Sequence, residues 1–165
     1  DSYFFSSLSE TYDNILLWSH YCQSHTGFVI AIEIDESDSH VQKVSYRNDL
    51  PAFDIGWYFS IKEDEIDDED KADSKEIDYL LKDFAIKSEH WGYEKEWRVC
   101  RSKKGYKRYD MDNIKAIYFG INCDPEIEKV ILFLSAGIND EIPVYKMGLT
   151  KNPIGMIAKD YELPK

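Results

Sequence analysis

The stretch Glu94–Cys100 (EKEWRVC) alternates without a break, which puts Glu96 and Arg98 on one face of a strand and Trp97 and Val99 on the other. Such a strand cannot stand alone. Its backbone N–H and C=O groups need partners, and its Trp97/Val99 face needs apolar cover. The chain is therefore expected to be organised round a sheet. Further strands are expected at Tyr3–Leu8, Phe28–Ile34 (FVIAIEI), Val41–Tyr46 (VQKVSY), Ile114–Phe119 (IKAIYF), Val144–Met147 and Met156–Tyr161, with Val41–Tyr46 as the hairpin partner of Phe28–Ile34.

Three helices interleave with these strands. Asp13 or Asn14 can cap the first, whose apolar positions Ile15, Leu16, Trp18, Tyr21 and Cys22 fall at helical spacing, and Gly27 is placed for a left-handed stop. Ile77–Ile86 (IDYLLKDFAI) has the 3,4 spacing of an amphipathic helix. Pro125 opens a third helix, Glu126–Ser135, with Gly137 behind it. No regular βαβ repeat runs through the pattern, so the expected class is α+β, a mixed, mostly antiparallel sheet flanked by helices. With 165 residues, 43% of them hydrophobic and 15% aromatic, the chain is long and apolar enough for one packed core. We read 1–165 as a single domain. Its abrupt start on Asp1-Ser2-Tyr3-Phe4-Phe5 implies that an N-terminal portion of the fold lies upstream.

The charge is unevenly placed. Residues 63–78 (EDEIDDEDKADSKEID) hold ten acids against two lysines, a local −8 out of a net −12. Residues 62–76 accordingly read as an acidic exposed loop. A calcium loop of the EF-hand kind needs a glycine at its sharp turn, and this run has none. A metal-dependent hydrolase using the run is a third functional alternative. Lys and Arg cluster only at Arg98–Arg108, round Gly105, which reads as an exposed hairpin turn; nucleic acid is therefore an unfavourable partner. No apolar run is long enough to span a bilayer, so no membrane partner is expected. Cys22, Cys100 and Cys123 are odd in number and form no C-x-x-C pair. They fit buried thiols in a reducing, cytoplasmic setting, with no metal site.

Two motifs carry the chemistry, LWSHYCQSHTG (residues 17–27) and YEKEWR (residues 93–98). His20 and His25 are five apart, about 140° round a helix, so they cannot easily share one metal. Trp18 and Tyr21 can be core, with His25 finishing the helix C-terminus. Alternatively, Tyr21 offers its ring and His20 a hydrogen bond to a ligand. In the second motif, Glu94 and Glu96 point the same way if both lie on the strand. They are either a surface ladder with Arg98 or a carboxylate pair facing a cleft, held by Arg98 or Lys95 and backed by Trp97.

Phe5-Ser6-Ser7-Leu8-Ser9, Leu17-Trp18-x-His20-Tyr21-x-x-x-His25-x-Gly27, Val44-x-Tyr46 and Lys87-x-x-x-Trp91-x-Tyr93-Glu94-x-Glu96-Trp97-Arg98 together resemble a bacterial family known only as domain of unknown function two-nine-seven-one. The likeness extends to the late strand Ile117-Tyr118-Phe119-Gly120. More distantly, the order aromatic strand, helix ending Tyr21-Cys22, Gly27 and FVIAIEI resembles the ADP-ribosyltransferase fold, and Glu94-x-Glu96 is similar to the E-x-E of its arginine-directed members. This second resemblance implies Glu96 and Glu94 as catalytic residues. Glu96 would hold a ribose hydroxyl and stabilise the oxocarbenium-like centre, and Glu94 would orient the acceptor. Tyr21, His20, Ser6, Trp18 and Arg98 would bind the cofactor, with Tyr21 stacked on nicotinamide. Trp18 stands where the polymerases of that fold carry a serine. The implied activity is NAD consumption or ADP-ribosyl transfer, with NAD as a substrate rather than a tightly bound cofactor. The alternative is a non-catalytic sensor module that binds a small ligand or a protein partner, for example in phage defence.

Overall fold

The computed structural model describes residues 4–38, 40–49, 84–101 and 111–162. The acidic loop at 62–76, the aromatic stretch 51–61 and most of the helix expected over Ile77–Ile86 lie outside these residues, as do positions 102–110 of the basic cluster. The fold is α+β with mixed, mostly antiparallel sheets. It divides into two compact units, one formed by Asp1–Glu10 with Asp35–Tyr106 and the other by Thr11–Ile34 with Lys107–Lys165. Among the described residues no helix is long and apolar enough to cross a membrane.

In the first unit, β1 (Phe4–Ser9) and β3 (Val41–Lys43) flank β6 (Glu96–Arg101) in an antiparallel sheet of order β1-β6-β3. A parallel pair, β4 (Ser45–Tyr46) with β5 (Ile86–Lys87), follows β3 along the chain. Ile86, expected to end a helix, is therefore a strand residue. Val44 and Ala85 are buried at the start of the two short strands.

The expected hairpin between Phe28–Ile34 and Val41–Tyr46 does not form. The first of these strands, β2 (Phe28–Ile32), pairs with β7 (Ile114–Phe119), while β3 pairs with β6. The connection explains why. Asp35 accepts from the Ser37 N–H at 2.8 Å and its hydroxyl at 2.6 Å, and Asp38 accepts from the His40 N–H at 2.9 Å. Two successive aspartate turns carry the chain away from β2, where a tight two-residue turn would have folded it back.

The second unit is built on β7. Its neighbours in the sheet are β2, antiparallel, and β8 (Val144–Lys151), parallel; β9 (Ile154–Asp160) completes the order β2-β7-β8-β9. Parallel pairing needs a crossover, and α2 (Pro125–Ala136) supplies it. Asp124 caps α2 through the Glu126 N–H at 2.8 Å, and Pro125 occupies the first turn, where no N–H is missed. β7 is buried on both faces. Ala116 and Tyr118 pack against Trp18 of α1 (Ile15–Tyr21), Met147 and Met156. Ile117 and Phe119 pack with Cys123 and Ile142, and with Ile131 and Leu132 of α2. Beside this second cluster, Glu128 is buried and bonded to Lys146 and to the Tyr161 hydroxyl, the latter at 2.8 Å. Burial first, and then Glu128 as acceptor, push that hydroxyl up to about 12.

The left-handed stop of α1 differs from expectation. Gln23, Ser24 and His25 carry it, at φ 46°, 56° and 68°, and not Gly27. At Gly27 a Cβ would make a tight contact with the Cys22 Cα at 3.3 Å, so the neighbouring backbone would have to give by a few tenths of an ångström. Gly120 is tighter still. A Cβ would sit 2.1 Å from the His25 carbonyl oxygen, which the Asn122 N–H already holds at 3.0 Å. Gly120→Ala is expected to cost about 1–3 kcal/mol or more in urea unfolding, because backbone must give way. Gly137→Ala, where the new Cβ meets only ordinary contacts at 3.4 Å and beyond, is expected to be neutral or stabilising by under about 1 kcal/mol. Equal losses at the two positions would contradict this account.

Candidate functional site

Alternation along β6 sends Glu96 and Arg98 to one face, and the register with β1 sets Ser7 opposite Arg98 and Ser9 opposite Glu96. On that face Ser7 Oγ donates to Glu96 Oε1 at 2.6 Å. Arg98 forks onto the same carboxylate, Nε to Oε1 at 2.9 Å and Nη2 to Oε2 at 3.3 Å, while its Nη1 donates to the Phe84 carbonyl. Lys87, from β5, donates to Glu96 Oε2 at 3.1 Å and also to Glu94 Oε2. The Glu96 N–H donates to the Tyr46 hydroxyl oxygen at 2.8 Å, which ties β4 to the same point.

Glu94 and Glu96 are 4% and 5% exposed, a depth at which an unpaired carboxylate is strongly penalised. Burial by itself would raise the Glu96 carboxyl. The hydrogen bonds from Arg98, Ser7 and Lys87 and the Arg98 charge overcome it and hold the group down at about 2. Burial likewise works to lower the Lys87 ammonium, but its bonds to Glu94 and Glu96 leave it raised. Two buried carboxylates thus face one ammonium and one guanidinium. Ser7, which touches Glu96, is exposed, so the cluster borders solvent on the β1 side.

The two motifs fall in different units. Glu94, Glu96, Arg98 and Ser6 belong to the first, Trp18, His20 and Tyr21 to the second. Glu94 is not on the strand as expected. It ends the 3-10 helix Glu89–Glu94, and Lys95, left-handed at φ 45°, turns the chain into β6. The two glutamates meet nevertheless, because Lys87 reaches both. Ser6 pairs with Val99 in register and so shares the opposite face from Glu96. Trp97 lies on that opposite face too, its indole N–H on Glu10 at 2.8 Å and the Lys43 ammonium 5.4 Å from its ring centre.

Trp18 is 1% exposed and donates its indole N–H to the Tyr12 carbonyl at 2.6 Å, which makes it the centre of a core. His20 and Tyr21 are exposed at the end of α1, their rings edge to face at 6.3 Å. His25 finishes the helix, its N–H on the Trp18 carbonyl at 3.1 Å and its Nε2 3.1 Å from Ser19 Oγ.

Ser7, Lys87 and Tyr46 are the site residues that sequence reasoning missed. The period of two along Phe5–Ser9 could have separated Ser7 from Ser6 once the pairing with β6 was known. Lys87 and Tyr46 stand among the residues that carry the family resemblance, but their place beside Glu96 follows only from long-range packing.

Because the folded Glu96 carboxyl lies below its ordinary 4.5, it contributes stability that is fully present above about 4.5. That contribution is lost as pH falls through about 2. Urea unfolding measured across this window should show stability falling steeply in the wild type. In Glu96→Gln, whose plateau is lower, the fall should be flatter, and an unchanged slope would remove Glu96 as its source.

A family model described as "Protein of unknown function (DUF2971)" matches residues 17–99. The matched span begins in the LWSHYCQSHTG motif and ends one residue past Arg98. No curated protein and no solved structure matches the chain significantly. With half of its length matched by that model, the chain belongs to the DUF2971 family.

Proposed function

We propose that this domain cleaves the N-glycosidic bond of NAD, releasing nicotinamide and passing ADP-ribose to water or to an acceptor. The observation that carries the reading is Glu96, a buried, ionised carboxylate fixed on a strand by Arg98, Lys87 and Ser7. As the C1′–N bond breaks, its electron pair leaves with nicotinamide and positive charge gathers on the ribose. A carboxylate held beforehand beside that centre lowers the barrier without reorganising. Ser7, exposed and bonded to Glu96 Oε1, is the side from which a ribose hydroxyl would reach the carboxylate. Glu94 is suited to orienting the water or acceptor that then attacks C1′, the proton released from that nucleophile passing to the carboxylate and on to solvent.

A second reading is favoured by one observation: protein donors already engage both oxygens of Glu96. On it the cluster is a structural clamp within a ligand-binding module. Nicotinamide release from NAD, followed by chromatography, separates the two. On the catalytic reading the full chain releases nicotinamide, Glu96→Gln lowers the rate about 100–1,000-fold and Ser7→Ala lowers it less. No release by the wild type, or equal release by Glu96→Gln, overturns it in favour of the clamp.

A further inference from the structure

Lys87 has no counterpart among the residues that the E-x-E pattern singles out, yet among the described residues it is the cation that reaches both glutamates. Arg98 cannot take that part, since its fork is committed to Glu96 and to the Phe84 carbonyl. Two of the three N–H donors of Lys87 go to Glu94 Oε2 and Glu96 Oε2, and its ammonium lies 5.1 Å from the centre of the Trp91 ring. The side chain starts from a paired position, since Lys87 stands opposite Tyr46 in the β4–β5 register. Backbone pairing, two carboxylates and one aromatic face therefore fix a side chain that is otherwise among the most mobile. Without the ammonium, two buried carboxylates would confront each other at the end of the 3-10 helix. Like charges at such a site expel one another or take up a proton.

We propose that Lys87 is a positioning residue for the reaction at Glu96, its ammonium pinning Glu94 and Glu96 to one point so that both carboxylates meet the bound nucleotide in a fixed geometry. This inference rests on the proposed cleavage of NAD. Among the described residues, the charged and titratable groups that face Lys87 are Glu94 from the 3-10 helix and Glu96, with Arg98 beyond it, from β6; Ser7 from β1 bonds the same carboxylate. Removing Lys87 therefore leaves Glu96 to Arg98 and Ser7, and leaves Glu94 without the ammonium.

The test uses Lys87→Ala in the full chain, with propylammonium supplied to replace the missing group. Displacing a carboxylate by about an ångström is expected to lower kcat for nicotinamide release about 100-fold, with KM nearly unchanged and the acid limb of the pH–rate profile moved to higher pH. Propylammonium should restore part of kcat in a saturable way. Tetramethylammonium, which has charge but no N–H donor, should not. A loss confined to KM, or equal responses to the two cations, overturns the proposal. A carbon-13 NMR titration of the glutamate carboxyls reads the same point without catalysis. The Glu96 midpoint should rise in Lys87→Ala and return with propylammonium, and an unmoved midpoint overturns the positioning role. Should the wild type release no nicotinamide, the NAD reading fails by itself, while this titration still decides whether Lys87 holds the pair. If Lys87→Ala does not fold, Lys87→Met keeps an unbranched stem of nearly the same length without the charge or the N–H donors and is read in the same titration.

Discussion

A carboxylate taken out of water must be matched where it lies, and the first unit is arranged round that demand at Glu96. Three segments supply donors to it, β1 with Ser7, β5 with Lys87 and β6 with Arg98. The strand β4 is tied to the same residue because the Glu96 N–H donates to the Tyr46 hydroxyl. Each donor also ties its own segment to the others, so electrostatic matching and chain organisation are one event. Breaking a buried pair by removing one partner typically costs several kcal/mol, because the other charge is stranded. Loss of any one donor from the cluster is therefore expected to weaken the sheet as a whole.

The second unit meets a different demand. Its central strand, β7, is apolar on both faces and must be covered twice, by Trp18 from α1 on one face and by Ile131 and Leu132 from α2 on the other. Covering the first face requires α1 to stop at once and the chain to return into β2. The stop is made in three left-handed residues, which brings the His25 carbonyl against Gly120 at the end of β7. Much of LWSHYCQSHTG is accounted for in this way. Trp18 fills the core, His25 and Gly27 shape the return, and His20 and Tyr21 are left facing solvent.

Local pattern made the strands and helices legible. IKAIYF, the Pro125 helix and the Glu96/Arg98 face all follow from spacing, capping and alternation, which act within a few residues. Partner choice was not legible. β2 and Val41–Tyr46 looked like a hairpin because they are neighbours in sequence, and only the aspartate turns between them and the competing strands β7 and β6 decide otherwise. The same limit applies at the site. Glu96 and Arg98 are readable from alternation, whereas the place of Lys87 beside them follows from the β4–β5 pairing, and that of Ser7, with Ser6 on the opposite face, from the register with β6. Glu94 was displaced from its expected strand by one left-handed residue, Lys95, whose backbone state no periodicity reveals.

The chain enters the first unit, leaves it at Thr11, returns at Asp35 and leaves again at Lys107. Neither unit is a continuous piece of sequence. The bond from Ser7 to Glu96 spans 89 residues, and β1 has its partner only once β6 exists. Closing so long a loop costs entropy before any contact repays it. During synthesis, then, β1 must wait, unpaired and aromatic, until some ninety further residues have emerged. The charged cluster cannot assemble before Arg98 has emerged, so the order of synthesis leaves Ser7 without its partner until then.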